Sequence, residues 1–430
     1  MKPAQRIYFV SLIAVFALLF LLIPLLQYKP IIVYSLVYIS ASLLFILICG
    51  FILKHDIPAR YVWVTLGLSV LLRLSLIAVS PTGSDDYYRY VWDGKVMAHG
   101  INPYRYAPDD PALAGLHSET LPARVNFAGM RTIYPPVAEA LFYVAYKIAG
   151  ANFLGIKVLL FVFEMMTIYG IYLIIRKLKL SGKNILLYAL CPLPLFQFLV
   201  DGHVDGFGIT LLVFSVFFYL DGKKTLSYLF IALSVCVKPT GLILIPVLFF
   251  LERDFRERIK VVLVPVGICA LLYIPFVFSG YPFQALLKFT ENWTFNGIVF
   301  DILNALIHDN QISRSICGIM FILAFLPVLF SRKDLATKIY NSIFLLLIFS
   351  PVVHPWYLSW LAILLPVRTR WSGILYVSLV SLTLITVMNY QLTGVWKEYP
   401  VILFLEYAPV LTAFVIELAG MRRDHGVEPA

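Results

Sequence analysis

The chain has 430 residues, 61% of them hydrophobic and only 13% charged. Its mean hydropathy is +0.87, far above that of a water-soluble domain. The formal charge of +10 is spread through short segments between apolar runs, which is not the footprint of a nucleic-acid binder. Cys49, Cys191, Cys236, Cys269 and Cys317 all lie in apolar runs without CxxC spacing, so they read as small buried side chains rather than metal ligands.

An all-α, polytopic integral membrane protein is therefore expected, forming one membrane-embedded domain over 1–430. A membrane crossing needs about 20 apolar residues that satisfy their own backbone. The run from Ile7 to Leu26 follows Met1-Lys2 and lacks a small-x-small cleavage site, so it reads as a retained first helix. Further spans are expected near 31–53, 61–80, 153–175, 184–200, 206–220, 226–237, 240–251, 260–278, 312–330, 336–353, 355–366, 371–390 and 401–420, about 14 in all. With both termini in the cytoplasm, about 21 of the 34 Lys and Arg fall on that face, as the positive-inside rule requires. A bacterial inner membrane is the expected location.

The long polar stretch 81–136 then lies outside the cell. Ser84 is a plausible N-cap for a helix reaching His99, with Asp85 and Asp86 in its first turn. Acids at a helix N-terminus suit the macrodipole, which accounts for one of the two better than for both. Asp86, Tyr90 and Asp93 share a face at i, i+4, i+7, and Asp85 is within reach of Arg89. An acid held there stays ionised and can act as a base. Arg131 and Tyr134 close the loop as further candidates, although rings at a membrane surface also serve simply as anchors. The segment 137–150 carries Glu139 and Lys147, and a helix lying in the outer interface preserves the charge parity.

Farther along, Asp201-Gly202-His203-Val204-Asp205-Gly206 joins two apolar runs. A Gly/Asp turn explains the glycines, while His203 and Asp205 suggest a site. Two such ligands at i, i+2 are a weak metal signal, so no metal or other cofactor is expected. Lys238, at a corner between short apolar runs, needs an anion or its own long stem to reach polar surroundings; a lipid phosphate is one such anion. Arg73 and Glu164 sit within spans and are expected to bridge. His354 and Trp356 head a late apolar run, as belt residues or as the border of a groove.

Together these segments resemble the GT-C superfamily of integral-membrane glycosyltransferases, and within it the bacterial mannosyltransferase-like group around glycosyltransferase family 87. The resemblance rests on Asp86-Tyr87-Tyr88-Arg89-Tyr90-Val91-Trp92-Asp93-Gly94, Gly100–Tyr104, Tyr134-Pro135-Pro136, Gly202-His203-Val204-Asp205-Gly206, Lys238-Pro239 and Trp293–Asn296. Here two helices precede the first large outer loop beyond the usual arrangement. The resemblance implies a polyprenyl-phosphate-linked sugar donor, a lipid or glycan acceptor, and an acidic base in that loop. Asp86 inherits the role, with Asp85 in reserve. Lys238, Arg131 and Arg89 would meet the donor phosphate; Tyr90, Asp93, Tyr134, His203, Asp205, His354 and Trp356 would meet the substrates. A lipid-linked sugar transporter and an O-antigen-type polymerase or ligase are the alternatives. A transporter calls for matched inverted halves, which the sequence does not show.

Overall fold

The computed structural model describes residues 1–23 and 30–423. Among them the fold is all-helical, and the one β-type contact is an isolated bridge between Phe295 and Val352. Three long helices open the chain: α1 (Pro3–Phe20), α2 (Pro30–Lys54) and α3 (Ala59–Leu76). The end of the first expected span, 24–26, lies outside the described residues. The polar loop then carries α4 (Tyr87–Ala98), followed by α5 (Pro136–Ala149) and the long α6 (Leu154–Lys177). Next come α7 (Gly182–Ala189) and α8 (Pro192–Val200), α9 (Asp205–Leu220), α10 (Lys224–Val235), α11 (Pro239–Leu251) and α12 (Phe255–Val277). The chain ends with α13 (Gln284–Asn292), α14 (Ile298–Ile307), α15 (Asn310–Phe330), α16 (Leu335–Phe349), α17 (Trp371–Thr393) and α18 (Pro400–Arg423).

Eight of the described helices are long and apolar enough to cross a membrane, or nine if α7 and α8 count as one bent span. The expected fourteen differs because apolarity was legible in the sequence and helix continuity was not. At 184–200 the chain breaks by 44° between α7 and α8, where Pro192 and Pro194 remove amide donors. At 355–366 only short helical turns form after Pro355. The runs at 206–220, 226–237, 240–251 and 336–353 form helices shorter than a full crossing. α12 and α15 leave most of their apolar surface facing outward, which water would not tolerate and lipid does. This is a helical membrane protein.

Buried polar pairs tie the bundle together. Arg73 and Glu164 meet at 2.9 Å between α3 and α6, as expected, and Arg73 also donates to the Ala189 carbonyl at 2.8 Å. Lys157 of α6 donates to the carbonyls of Leu76 and Val79, closing the exposed end of α3 just before the polar loop begins. On that loop α4 packs against α5 so tightly that a Cβ on Gly94 would overlap the Phe142 carbonyl. α5 is amphipathic, burying Ala138, Phe142 and Ala145 while exposing Tyr143 and Ile148.

Candidate active site

The start of the polar loop is held by an acid from the break after α8. Asp201 accepts from the backbone N–H of Thr82 (3.1 Å) and Gly83 (2.8 Å), and from the Tyr34 hydroxyl. A Cβ on Gly83 would lie 2.7 Å from both the Asp201 carboxylate and the Tyr34 ring, so a side chain there would have to displace this anchor. This anchor aims residues 84–89 across the top of the bundle.

Ser84 accepts from the Asp86 backbone N–H at 3.2 Å, but the helix itself starts at Tyr87. Both acids therefore precede the first turn instead of lying in it, and the Asp86 side chain makes no capping bond. Nor does Asp85 pair with Arg89. Asp85 is exposed and accepts from Asn126, whereas the buried Arg89 turns to Asp93 at 3.3 Å and to the Met130 carbonyl. Between two candidate partners at i±4, the buried acid wins because attraction is stronger where the dielectric is low.

A cavity of about 820 Å³ opens beside Asp86, within the range that holds small ligands. It lies between the loop 81–89, the turns of 126–134, the Lys238 corner, the segments 289–295 and 354–357, and the end of α17. Of the residues expected in a site, Asp85, Asp86, Arg89, Arg131, Tyr134, Lys238, His354 and Trp356 line it. The other four lie one layer behind. Tyr90 stacks on Phe142 at 4.7 Å, Asp93 backs Arg89, His203 lies against Trp356, and Asp205 backs Lys238. Asp86, Tyr90 and Asp93 do share a face of α4, but that face turns into the protein, so only the leading residue reaches the cavity.

Asp86 keeps 28% of its side chain accessible and lines this recess. Burial first, and then the neighbouring Asp85, push its pKa up to about 6, against the pull of Lys238 and Asn126. The helix terminus was expected to keep this acid ionised; desolvation works against that dipole and lifts the group above the usual carboxylate range. At pH 7 the group remains ionised by roughly ten to one, and it is a stronger base than an ordinary aspartate.

Lys238 faces the same recess. Its ammonium lies 3.0 Å from Asp205 and 5.0 Å from the centre of the Tyr357 ring, and Asp205 also accepts from Trp360 Nε1 at 2.9 Å. Arg131 donates to the Arg105 carbonyl and to Gln284 and sits over Tyr281. Three rings form a stack on the far wall. Trp356 lies between His203 (3.7 Å, 18°) and His354 (4.3 Å, 4°), and His354 also meets Phe295 at 4.7 Å. The Phe295–Val352 bridge, through a 2.7 Å bond from the Val353 N–H, brings this wall into position. Burial, reinforced by Lys238, drives His354 down to about 3 and His203 well below its ordinary value, so both imidazoles are neutral.

Sequence reasoning passed over Tyr34, Gln197, Asn126, Phe127 and Trp293 as cavity-lining side chains and Asp201 as the anchor of the loop at Thr82 and Gly83. Tyr34 and Gln197 sit in apolar runs with no signal. Asp201 carried one, as an acid beside a glycine turn between two apolar runs. Phe127 and Trp293 meet edge to face at 4.4 Å across the mouth. Among the described residues no three His, Cys, Asp or Glu side chains gather as a metal-ligand set.

A membrane bundle that gathers a basic carboxylate, cations and a wall of rings around one recess has the make-up of a sugar-handling membrane enzyme. Comparison with known families makes the assignment specific. Residues 16–252 match the family described as Alpha-(1->6)-mannopyranosyltransferase, N-terminal domain, and the chain belongs to that family. It is accordingly a mannosyltransferase-like glycosyltransferase, with sugar donor and acceptor as its substrates. The match takes in Asp86, Arg131, His203, Asp205 and Lys238, and stops short of His354 and Trp356. No curated protein matches the chain.

Proposed function

We propose that this protein transfers a mannosyl residue from a polyprenyl-phosphate donor to a hydroxyl of a glycan or lipid acceptor, on the extracytoplasmic face, with inversion. The observation that carries this reading is Asp86, a partly desolvated carboxylate with no capping bond, opening into a cavity that also holds Lys238. Asp86 takes the proton from the acceptor hydroxyl as that oxygen attacks the anomeric carbon, and the bond from that carbon to the phosphate oxygen breaks. The leaving group is a phosphate, which departs without a protein acid, so a single carboxylate suffices. Lys238 balances the charge developing on the phosphate, with Arg131 and Arg89 on the same cavity wall. The family's α-(1→6) linkage is the product that inversion of a β-linked donor would give, and it points to a primary hydroxyl as the nucleophile. The resemblance to the GT-C superfamily and to glycosyltransferase family 87 supports the lipid-phosphate donor and the outward-facing loop.

The test uses purified full-length protein, radiolabelled polyprenyl-phosphate mannose and a short alkyl α-mannoside. Label should move to the glycoside with an α-(1→6) linkage. Transfer from a nucleotide sugar but not from the lipid-linked donor would overturn the donor assignment.

A further inference from the structure

His203 combines two features that do not fit simple packing. It is fully buried, and both of its ring nitrogens lack a hydrogen-bond partner. If the ring only filled space, phenylalanine would do so without leaving two polar atoms desolvated, which is unfavourable for each unpaired group. Its place is tightly determined. The chain reverses at Gly202, whose φ of +85° glycine adopts freely, and the His203 N–H donates to the Gln197 carbonyl at 2.9 Å. The imidazole lies flat on Trp356, whose other face carries His354, so the ring plane is fixed and only its edges can bond. One edge faces the site: Nδ1 lies 3.6 Å from Asp86 Oδ2.

We propose that His203 is a positioning residue for Asp86, its Nδ1–H donating to Oδ2 so that Oδ1 is left to receive the acceptor's proton. The proposal rests on the reading of Asp86 as the base. A neutral imidazole bears one N–H, and the opposite tautomer would set a lone pair against the carboxylate, so Nδ1 carries the hydrogen. Keeping the ring neutral matters, because an imidazolium would form an ion pair with Asp86 and weaken it as a base. Burial, Lys238 and His354 all act in that direction. A distance of 3.6 Å is longer than a full hydrogen bond, and such contacts commonly tighten when substrate fills the site. The bond steers the carboxylate without protonating it, and stabilises its charged form.

Removing the donor should therefore raise the pKa of Asp86. The other groups around that carboxylate stay in place: Asp85 beside it, Lys238 and Asp205 from the α9–α11 side, Tyr90 and Tyr134 from the loop and α4, and Tyr357 from the facing wall. The experiment measures kcat/KM for mannosyl transfer against pH with the full-length protein, polyprenyl-phosphate mannose and an alkyl α-mannoside. His203→Phe should move the acid limb upward by about one pH unit, so that activity falls roughly fivefold at pH 6, approaching tenfold at pH 5, and hardly at all at pH 8.5. His203→Asn, whose amide N–H occupies the place of Nδ1–H, should leave the limb where it is in the unaltered protein. If His203→Phe fails to accumulate, His203→Gln replaces it: its amide extends to the Nε2 position, and the limb should move as for phenylalanine. An acid limb unmoved in the Phe or Gln variant, whether activity drops evenly or not at all, overturns the positioning role. Asp86→Asn is measured alongside. If it is inactive while the His203 limbs do not move, only the positioning role fails; if it is active, the base assignment fails and the positioning role with it.

Discussion

Lys238 of the α10–α11 corner and Asp205 of α9 form a 3.0 Å ion pair in which the acid is almost fully buried while the ammonium still faces the cavity. Asp205 thereby fixes the cation without covering it. Lys238→Met should lower kcat by about 10²–10³-fold, the usual cost of removing one group that stabilises charge in the transition state. Asp205→Asn leaves the cation in place and should reduce kcat less. Steady-state rates on the two variants check the order; a larger loss from Asp205→Asn would contradict it.

The pH dependence follows from Asp86. A base must be deprotonated, so kcat/KM should rise with pH through about 6 and level off above it. Stability has the opposite sign. Because the folded pKa is raised, carrying the charge costs stability above about pH 6, and that cost fades as the pH falls towards the unfolded value. Asp86→Asn should raise the Tm at pH 7.5, with the gain shrinking by pH 4. Thermal melts across this range measure it.

The Arg73–Glu164 bridge is fully buried, with Tyr188 also donating to Glu164. Removing one partner strands the other, typically at a cost of about 3–5 kcal/mol, whereas apolar replacement of both is often nearly neutral. Arg73→Met alone should lower the Tm and the amount of folded protein, and Arg73→Met with Glu164→Met should restore much of both. A double variant no better than the single one would show that the pair does more than balance charge.

Gly94 lets α4 lie directly on the backbone of α5. Gly94→Val should push the two helices apart, lower the Tm and displace Asp86 at the head of α4, with transfer activity falling more steeply than folded yield. Unchanged melting would mean that the two helices do not meet so closely.

Much of the site was legible because polar residues in an apolar chain are conspicuous. Asp86 and Arg131 stood out in the one long polar stretch, Lys238 and His354 between apolar runs, and the structure draws all four to one cavity. The bridge between Arg73 and Glu164 was legible for the same reason. What could not be read was which side of a helix faces the cavity. Tyr90 and Asp93 share the face of Asp86 yet pack inward against Phe142 and Arg89. Tyr34 and Asp201 meet only because the broken α7–α8 pair packs beside α2, a tertiary fact with no local signal. Proline bends or shortens helices within apolar runs that read as continuous, as at Pro192 and Pro355, which the sequence did not signal.

The central claim is that Asp86 removes the acceptor's proton. Single-turnover transfer with Asp86→Asn, in protein shown by its melt to be folded and by donor binding to be competent, tests this most directly. Turnover should fall by at least about 10³-fold with donor affinity nearly unchanged. Transfer within tenfold of the unaltered enzyme would contradict it.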